Sequence, residues 1–181
     1  TESAGVTLMF SNIGQRNISA MLGGTTVALI LISGILIVAL RSLRLGLISL
    51  LPNLAPAAVG FGLWGIFVGQ VGLSLSIVAG MTFGIVIDDT VHFLSKYLRA
   101  RRENGLSSKD AVRYAFRTVG LALVITTLTL VIGFAALATS SFEMNSGMGL
   151  MTSIIITLAL VMVFLILPPL LMKTEENTTH A

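Results

Sequence analysis

Residues 80–97 read GMTFGIVIDDTVHFLSKY, and two adjacent carboxylates, Asp88 and Asp89, interrupt this otherwise apolar run. They are the only Asp, Glu, Lys or Arg residues between Val71 and Phe93. A run of that length is about what an α-helix needs to cross ~30 Å of hydrocarbon. An ionised Asp near the bilayer centre costs at least ~2.5 kcal/mol, so such residues usually mark a functional site. The stretch therefore predicts a membrane-spanning helix that carries the functional centre.

The composition predicts an all-α integral membrane protein. Of the 181 residues, 55% are hydrophobic and 10% are charged, whereas soluble domains carry about 25% charged residues. The absence of cysteine excludes disulfides and Cys-based metal or nucleophile sites. No basic patch interleaved with aromatic residues is present, so we expect no nucleic-acid partner. Nothing in the sequence indicates a cofactor.

Five apolar segments predict five transmembrane helices, at residues 18–40, 45–69, 71–97, 119–138 and 147–172. Pro52 and Pro56 predict a kink in the second helix, because proline removes a helical hydrogen bond. The polar segment 1–17 is interpreted as the end of an extramembrane domain. Residues 173–181 are predicted to form a polar, disordered tail.

One short helix is expected between the third and fourth spans, at residues 107–117. Ser107 followed three residues later by Asp110 is typical of a capped helix start. The helix would place apolar residues such as Val112 and Phe116 on one side and basic residues such as Arg113 on the other. This pattern favours a helix that lies in the membrane surface, and the alternative is a solvated linker helix.

The basic residues predict the orientation of the chain. All lysines and arginines except Arg16 fall on one side of the five predicted spans. Because basic loops stay in the cytoplasm, that side is predicted to be cytoplasmic. The N-terminus is then extracytoplasmic and the C-terminus cytoplasmic.

A four-residue repeat runs along the third span and comprises Ser76, Gly80, Gly84, Asp88, His92 and Lys96. The small residues, among them Gly80 and Gly84, would let another helix approach closely. Asp88 and His92 then lie within reach of one another, and Asp89 points about 100° away.

The Asp pair is predicted to act as a proton relay. A low dielectric and a neighbouring like charge favour the neutral form of one carboxyl, so the pair can take up and release protons. His92 could extend the relay, although a polar anchor is the alternative, and Lys96 is interpreted as an interface residue that snorkels. An Asp pair held permanently by backbone amides or by a basic residue of another subunit is the structural alternative.

Three threonines, Thr126, Thr127 and Thr129, lie in the middle of the fourth span. Thr126 and Thr129 share a face with Gly133, and their hydroxyls could pass a proton or bind a carboxylate. The alternative for each one is a hydrogen bond to a carbonyl of its own helix.

These stretches together carry a family resemblance. GMTFGIVIDDTVHFLSKY, preceded by RSLRLGLISLLPNLAP and followed by a basic loop and TTLTLVIGFAALATS, resembles the resistance-nodulation-division superfamily. The nearest branch is the MMPL-type or hydrophobe exporters, which are related to Patched and to sterol-sensing domains. The resemblance covers roughly residues 17–172.

The resemblance implies an exporter of the bacterial inner membrane that is driven by proton influx and built from two similar halves, each with a porter domain outside the membrane. This chain would be the C-terminal half's last five helices. Expected partners are protons, a hydrophobic or lipid-like substrate, membrane lipids, the other half with its porter domains, and further copies in a homo-oligomer. The family's relay positions correspond to Asp88 and Asp89 and, by looser analogy, to Thr126 and Thr129.

Three other functions compete with the exporter. A sterol-sensing-like module would use the same five helices to bind lipid without transport. An intramembrane aspartyl protease needs two aspartates on different helices, whereas Asp88 and Asp89 are neighbours on one helix. A helix scaffold without transport would leave the acidic pair unexplained. The sequence therefore favours a secondary transporter over an enzyme.

Overall fold

The computed structural model describes residues 43–67 and 73–179 without a break, and also residues 23–24, 26–27, 30–35 and 37–38. Within these ranges the chain is almost entirely helical and contains no strand, which confirms the predicted all-α fold. The described parts of the predicted first span are helical. The predicted end of an extramembrane domain at 1–17 lies outside the described residues.

From residue 43 onward the described chain forms six α-helices, numbered α1 to α6: Leu43–Phe67, Leu73–Arg102, Ser108–Ala115, Leu121–Ala138, Glu143–Leu165 and Leu167–Thr179. A π-helical turn, Phe116–Gly120, joins α3 to α4. The described residues contain four helical segments that are long and apolar enough to cross a membrane: Gly46–Phe67, Ile77–Arg102, Ser108–Ala138 and Glu143–Lys173. They correspond to the second to fifth predicted spans.

The prolines of α1 do not end the helix. Pro52 and Pro56 both lie inside Leu43–Phe67. A proline cannot donate to the carbonyl four residues earlier, and membrane helices tolerate this loss where neighbouring helices or polar side chains compensate.

The short helix α3 corresponds to the helix expected at 107–117. Its predicted cap is present, because Ser107 Oγ accepts a hydrogen bond from the Asp110 backbone N–H at 3.2 Å. However, Ala115 and Gly120 on either side of the π turn keep right-handed helical geometry, so α3 continues into α4 as one rod. The apolar residues of α3, including Ala111 and Ala115, are buried against α2 and α6.

Helix α5 lies at the centre of the bundle and contacts α1, α2, α4 and α6. Its closest approach is to α4, at Gly149. A Cβ at this position would lie 2.5 Å from the Phe134 carbonyl oxygen and 2.6 Å from the Ala138 nitrogen. Only glycine allows the two backbones to approach this closely.

A buried hydrophobic cluster closes the end of the bundle that carries most of the basic residues. Phe93 and Leu94 of α2 pack there with Ala111 of α3 and with Leu167 and Leu171 of α6. The Phe116 ring stands edge-on to the rings of Phe93 and Phe164, with centroids 5.1 Å apart in each pair. The rings bring together α2, the π turn and α5. The C-terminal half of α2 is therefore packed firmly against the rest of the chain.

Candidate functional site

Three consecutive polar residues in the middle of α2 face three different surroundings. Asp88 is exposed, Asp89 is buried at 7% exposure, and Thr90 is fully buried. Successive helical residues point about 100° apart, so one turn of α2 presents polar groups in several directions. Most of the site's geometry follows from this arrangement.

Asp88 pairs with the histidine one turn later. Asp88 Oδ1 lies 3.4 Å from His92 Nε2, and the two side chains are 71% and 58% exposed respectively. The predicted contact between them is therefore present. Its members lie on a face of α2 that the described residues leave uncovered.

Asp89 points in the other direction, toward α4. Its Oδ2 accepts a hydrogen bond from Thr127 Oγ1 at 3.5 Å. This is a long hydrogen bond, and burial makes any unmatched charge at Asp89 costly. The two carboxyls are thus unequal: Asp88 is open and Asp89 is enclosed.

A cavity of about 190 Å³ lies between α2 and α4 and reaches both carboxyls. Its polar lining consists of the acidic pair, the paired histidine and one threonine, and its walls are otherwise aliphatic. The lining residues are Ile85, Asp88, Asp89, His92, Val119, Ala122, Leu123, Thr126 and Leu130. The cavity has room for several waters or a small polar group beside the carboxyls.

The threonines predicted for the relay are oriented differently from the one that binds the carboxylate. Thr126 lines the cavity, but its hydroxyl donates to the carbonyls of Ala122 and Leu123 at 3.0 and 3.1 Å. Thr129 Oγ1 donates to the Ile125 carbonyl at 2.8 Å. Both follow the alternative of bonding within their own helix, whereas Thr127, left out of the predicted relay, contacts Asp89.

A second polar contact involves α1, and the sequence did not predict it. Thr90 Oγ1 donates to Asn53 Oδ1 at 2.5 Å, and both residues are buried. Among the described residues, Asn53 Nδ2 has no hydrogen-bond partner. The one sequence feature that could have indicated this contact is the single Asn between Pro52 and Pro56 in a predicted span. This contact ties the proline-containing helix to the residue that follows the acidic pair.

The glycines predicted for helix packing face open space. A Cβ at Gly80 or Gly84 would have no described atom within 4 Å. Together with Asp88 and His92 they form the open face of α2. The described part of the chain brings no helix onto this face, so their predicted packing role stays a prediction about a partner.

The described residues contain no group of three His, Cys, Asp or Glu side chains that could hold a metal ion. The two carboxyls offer acid–base chemistry inside the apolar part of the protein. One carboxyl is accessible from the open face, the other is enclosed, and one cavity borders both.

A model of the MMPL family matches residues 2–175. The chain belongs to the MMPL family. The resemblance predicted from the acidic stretch is thereby confirmed at the level of the family.

This MMPL chain also resembles an archaeal protein. It is 29% identical over 153 residues to a protein of Methanocaldococcus jannaschii named as the membrane protein MJ1562. The alignment covers 84% of this chain and 39% of the relative. The chain thus spans about two fifths of that relative's length.

Proposed function

We propose that this MMPL chain is the transmembrane part of a proton-driven exporter of hydrophobic or amphiphilic molecules. The observation that carries the proposal is the unequal acidic pair in the middle of α2. A proton carrier needs a group that is accessible in one state and enclosed in another. Asp88 and Asp89 provide both environments on adjacent residues, next to one cavity.

In the proposed mechanism Asp88, assisted by His92, exchanges protons with the open face, and Asp89 holds a proton in the enclosed environment. A neutral Asp89 fits its burial better than a charged one, so protonation changes how firmly α2 packs against α4. A proton that moves down a 100 mV potential releases about 2.3 kcal/mol. That energy could drive a conformational change which moves the substrate.

The orientation belongs to the same proposal. Arg99, Lys109 and Arg117 lie at one end of the bundle, and by the positive-inside rule this end faces the cytoplasm. We place the protein in a bacterial inner membrane, with its other half and porter domains completing the transporter. The open face of α2 is the natural contact for that other half, because its small residues permit close approach.

The proposal is tested by proton flux in proteoliposomes that contain the full-length protein and internal pyranine. After an acid shift outside, the wild type should acidify the lumen faster than empty vesicles. Asp89→Asn and Asp88→Asn should each reduce this protein-dependent flux at least tenfold. Glu143→Gln, an exposed acid at the start of α5, is the matched control and should leave the flux unchanged.

The alternative is a lipid-binding module without transport. It predicts no protein-dependent proton flux in the wild type, together with retained lipid binding in all three variants. That result would contradict the exporter proposal and favour the lipid-binding module.

A further inference from the structure

The rod formed by α3, the π turn and α4 has one face that stays exposed along its whole length. Its first third carries the basic stripe, Lys109, Arg113 and Arg117, and all three side chains are exposed. The following part carries the apolar stripe, whose members are 55–73% exposed: Leu121, Ile125, Leu128 and Ile132. The seven residues follow one another at intervals of three or four, so each lies next to the one before it along the surface of the rod.

The opposite side of the rod packs against the protein as far as Thr127. Ala111, Ala115, Val119, Leu123 and Thr127 are buried on that side. The rod is also the least buried of the four candidate spans. Its exposed side is therefore a defined surface, basic at one end and apolar over the rest.

We propose that this surface binds an anionic phospholipid, with the headgroup at Arg113 and Arg117 and an acyl chain along the apolar stripe. The proposal goes beyond the exporter function and does not depend on it. It rests on charge complementarity and on the continuity of the two stripes.

The depth of the arginines fits a lipid headgroup. At 1.5 Å per residue, Arg117 lies ~6 Å from Leu121 along the helix axis, toward α3. Arg113 lies ~12 Å from Leu121 in the same direction. The headgroup region is roughly 5–7 Å thick on each side of the hydrocarbon. Arg117 therefore falls inside it when Leu121 marks the hydrocarbon boundary, and the long side chain of Arg113 can extend back to it.

The charges on this surface are available to an anion. Arg113 has an exposed contact with Asp110 at 3.5 Å, which is a weak interaction in water. Within the described part of the chain, neither Lys109 nor Arg117 has an acidic partner. Anionic lipid headgroups attract such residues at the membrane surface. Each basic residue raises the affinity for anionic lipid about fivefold.

The apolar stripe favours lipid over another helix. Helix–helix contacts in membranes are enriched in small residues that allow close approach. The apolar stripe consists only of leucine and isoleucine, whereas the open face of α2 offers Gly80 and Gly84. The two exposed surfaces thus differ in the way expected for a lipid contact and a helix contact.

The test is site-specific photo-cross-linking of the full-length protein in nanodiscs of equal parts phosphatidylglycerol and phosphatidylcholine. A photoreactive amino acid is placed at position 121, and the cross-linked lipids are identified by mass spectrometry. The same amino acid at position 66, an exposed isoleucine of α1 that lies outside this surface, reports the bulk lipid ratio.

The proposal predicts at least threefold enrichment of phosphatidylglycerol at position 121 and the bulk ratio at position 66. The Arg113→Gln/Arg117→Gln double variant should abolish the enrichment, while Arg113→Lys/Arg117→Lys should keep most of it. Lys173→Gln, an exposed basic residue on α6, is the control and should change nothing. High salt should weaken the enrichment in the wild type, because it screens exposed charges.

Three outcomes would overturn the proposal. They are a bulk lipid ratio at position 121 in the wild type, enrichment that persists in the double glutamine variant, and cross-linking to protein instead of lipid. If the glutamine variant does not fold, the lysine variant and the salt dependence still decide between a charge-dependent lipid site and none.

Discussion

The α4–α5 crossing and the open face of α2 both contain glycine, but for opposite reasons. At Gly149 a Cβ would collide with the backbone of α4, 2.5 Å from the Phe134 carbonyl oxygen. At Gly80 and Gly84 a Cβ would meet nothing described within 4 Å. The first glycine is explained by packing inside the chain. The other two border the acidic site and have no explanation unless something outside the described residues packs against them.

The largest effect is expected at the crossing. Gly149→Ala should destabilise the protein by about 1–3 kcal/mol or more, because backbone atoms cannot move aside to make room. Thermal unfolding in detergent, followed by the loss of monodisperse protein, measures the change.

Gly133→Ala on α4 is the matched control, since a Cβ at Gly133 has no described atom within 4 Å. It should be neutral or stabilising by up to about 1 kcal/mol, because alanine favours helix over glycine. Equal destabilisation by both substitutions would mean that the close crossing is not the cause.

The second prediction concerns the two neighbouring threonines of α4. Thr127→Val removes the donor to Asp89, and a typical hydrogen bond contributes about 0.5–1.5 kcal/mol. Because this bond is long, we expect proton flux to fall by about three- to tenfold. Thr126→Val should change it less than twofold, since that hydroxyl bonds only its own helix. The reverse order of effects would mean that Thr126, as predicted from the sequence, is the relay threonine.

The contact between α1 and α2 gives the third prediction. Asn53→Leu and Thr90→Val should each destabilise the protein, and the double variant should cost less than the sum of the two. A double-mutant cycle on thermal unfolding should give a coupling of about 0.5–1.5 kcal/mol, the typical contribution of one buried hydrogen bond. Additive effects would show that the two side chains do not depend on each other.

The smallest effect on stability is expected at the open face. Gly80→Ala and Gly84→Ala should leave the unfolding temperature unchanged or slightly raised, since each new methyl group enters open space. Proton flux should nevertheless fall if another helix packs on this face, because the methyl group would hold that helix away. Unchanged flux in both variants would remove the reason for assigning the open face to a partner.

The sequence predicted those features that depend on one helix alone. The contact between Asp88 and His92 follows from a spacing of four residues, and the cap at Ser107 follows from its own local motif. For the contact and the cap, one short segment contains all the information. The family resemblance needed the acidic stretch together with the segments before and after it.

The features that need two helices could not be predicted in the same way. A choice between Thr126 and Thr127 is a choice between faces 100° apart on α4, and only the packing against α2 decides it. The π turn at Phe116–Gly120 adds to this difficulty, because it changes the helical phase between α3 and α4. Likewise the close approach at Gly149 and the contact of Asn53 depend on partners far away in the sequence.

The measurement that tests the central claim most directly is export of Nile red, a hydrophobic probe, by cells that produce the full-length protein. Wild type, Asp89→Asn, Asp88→Asn and Glu143→Gln are compared at matched expression, with and without an uncoupler of the proton gradient. Our account predicts gradient-dependent export in the wild type and the Glu143 variant, and its loss in both aspartate variants. Gradient-dependent export that persists in both aspartate variants would contradict the account, because the proton would then travel elsewhere.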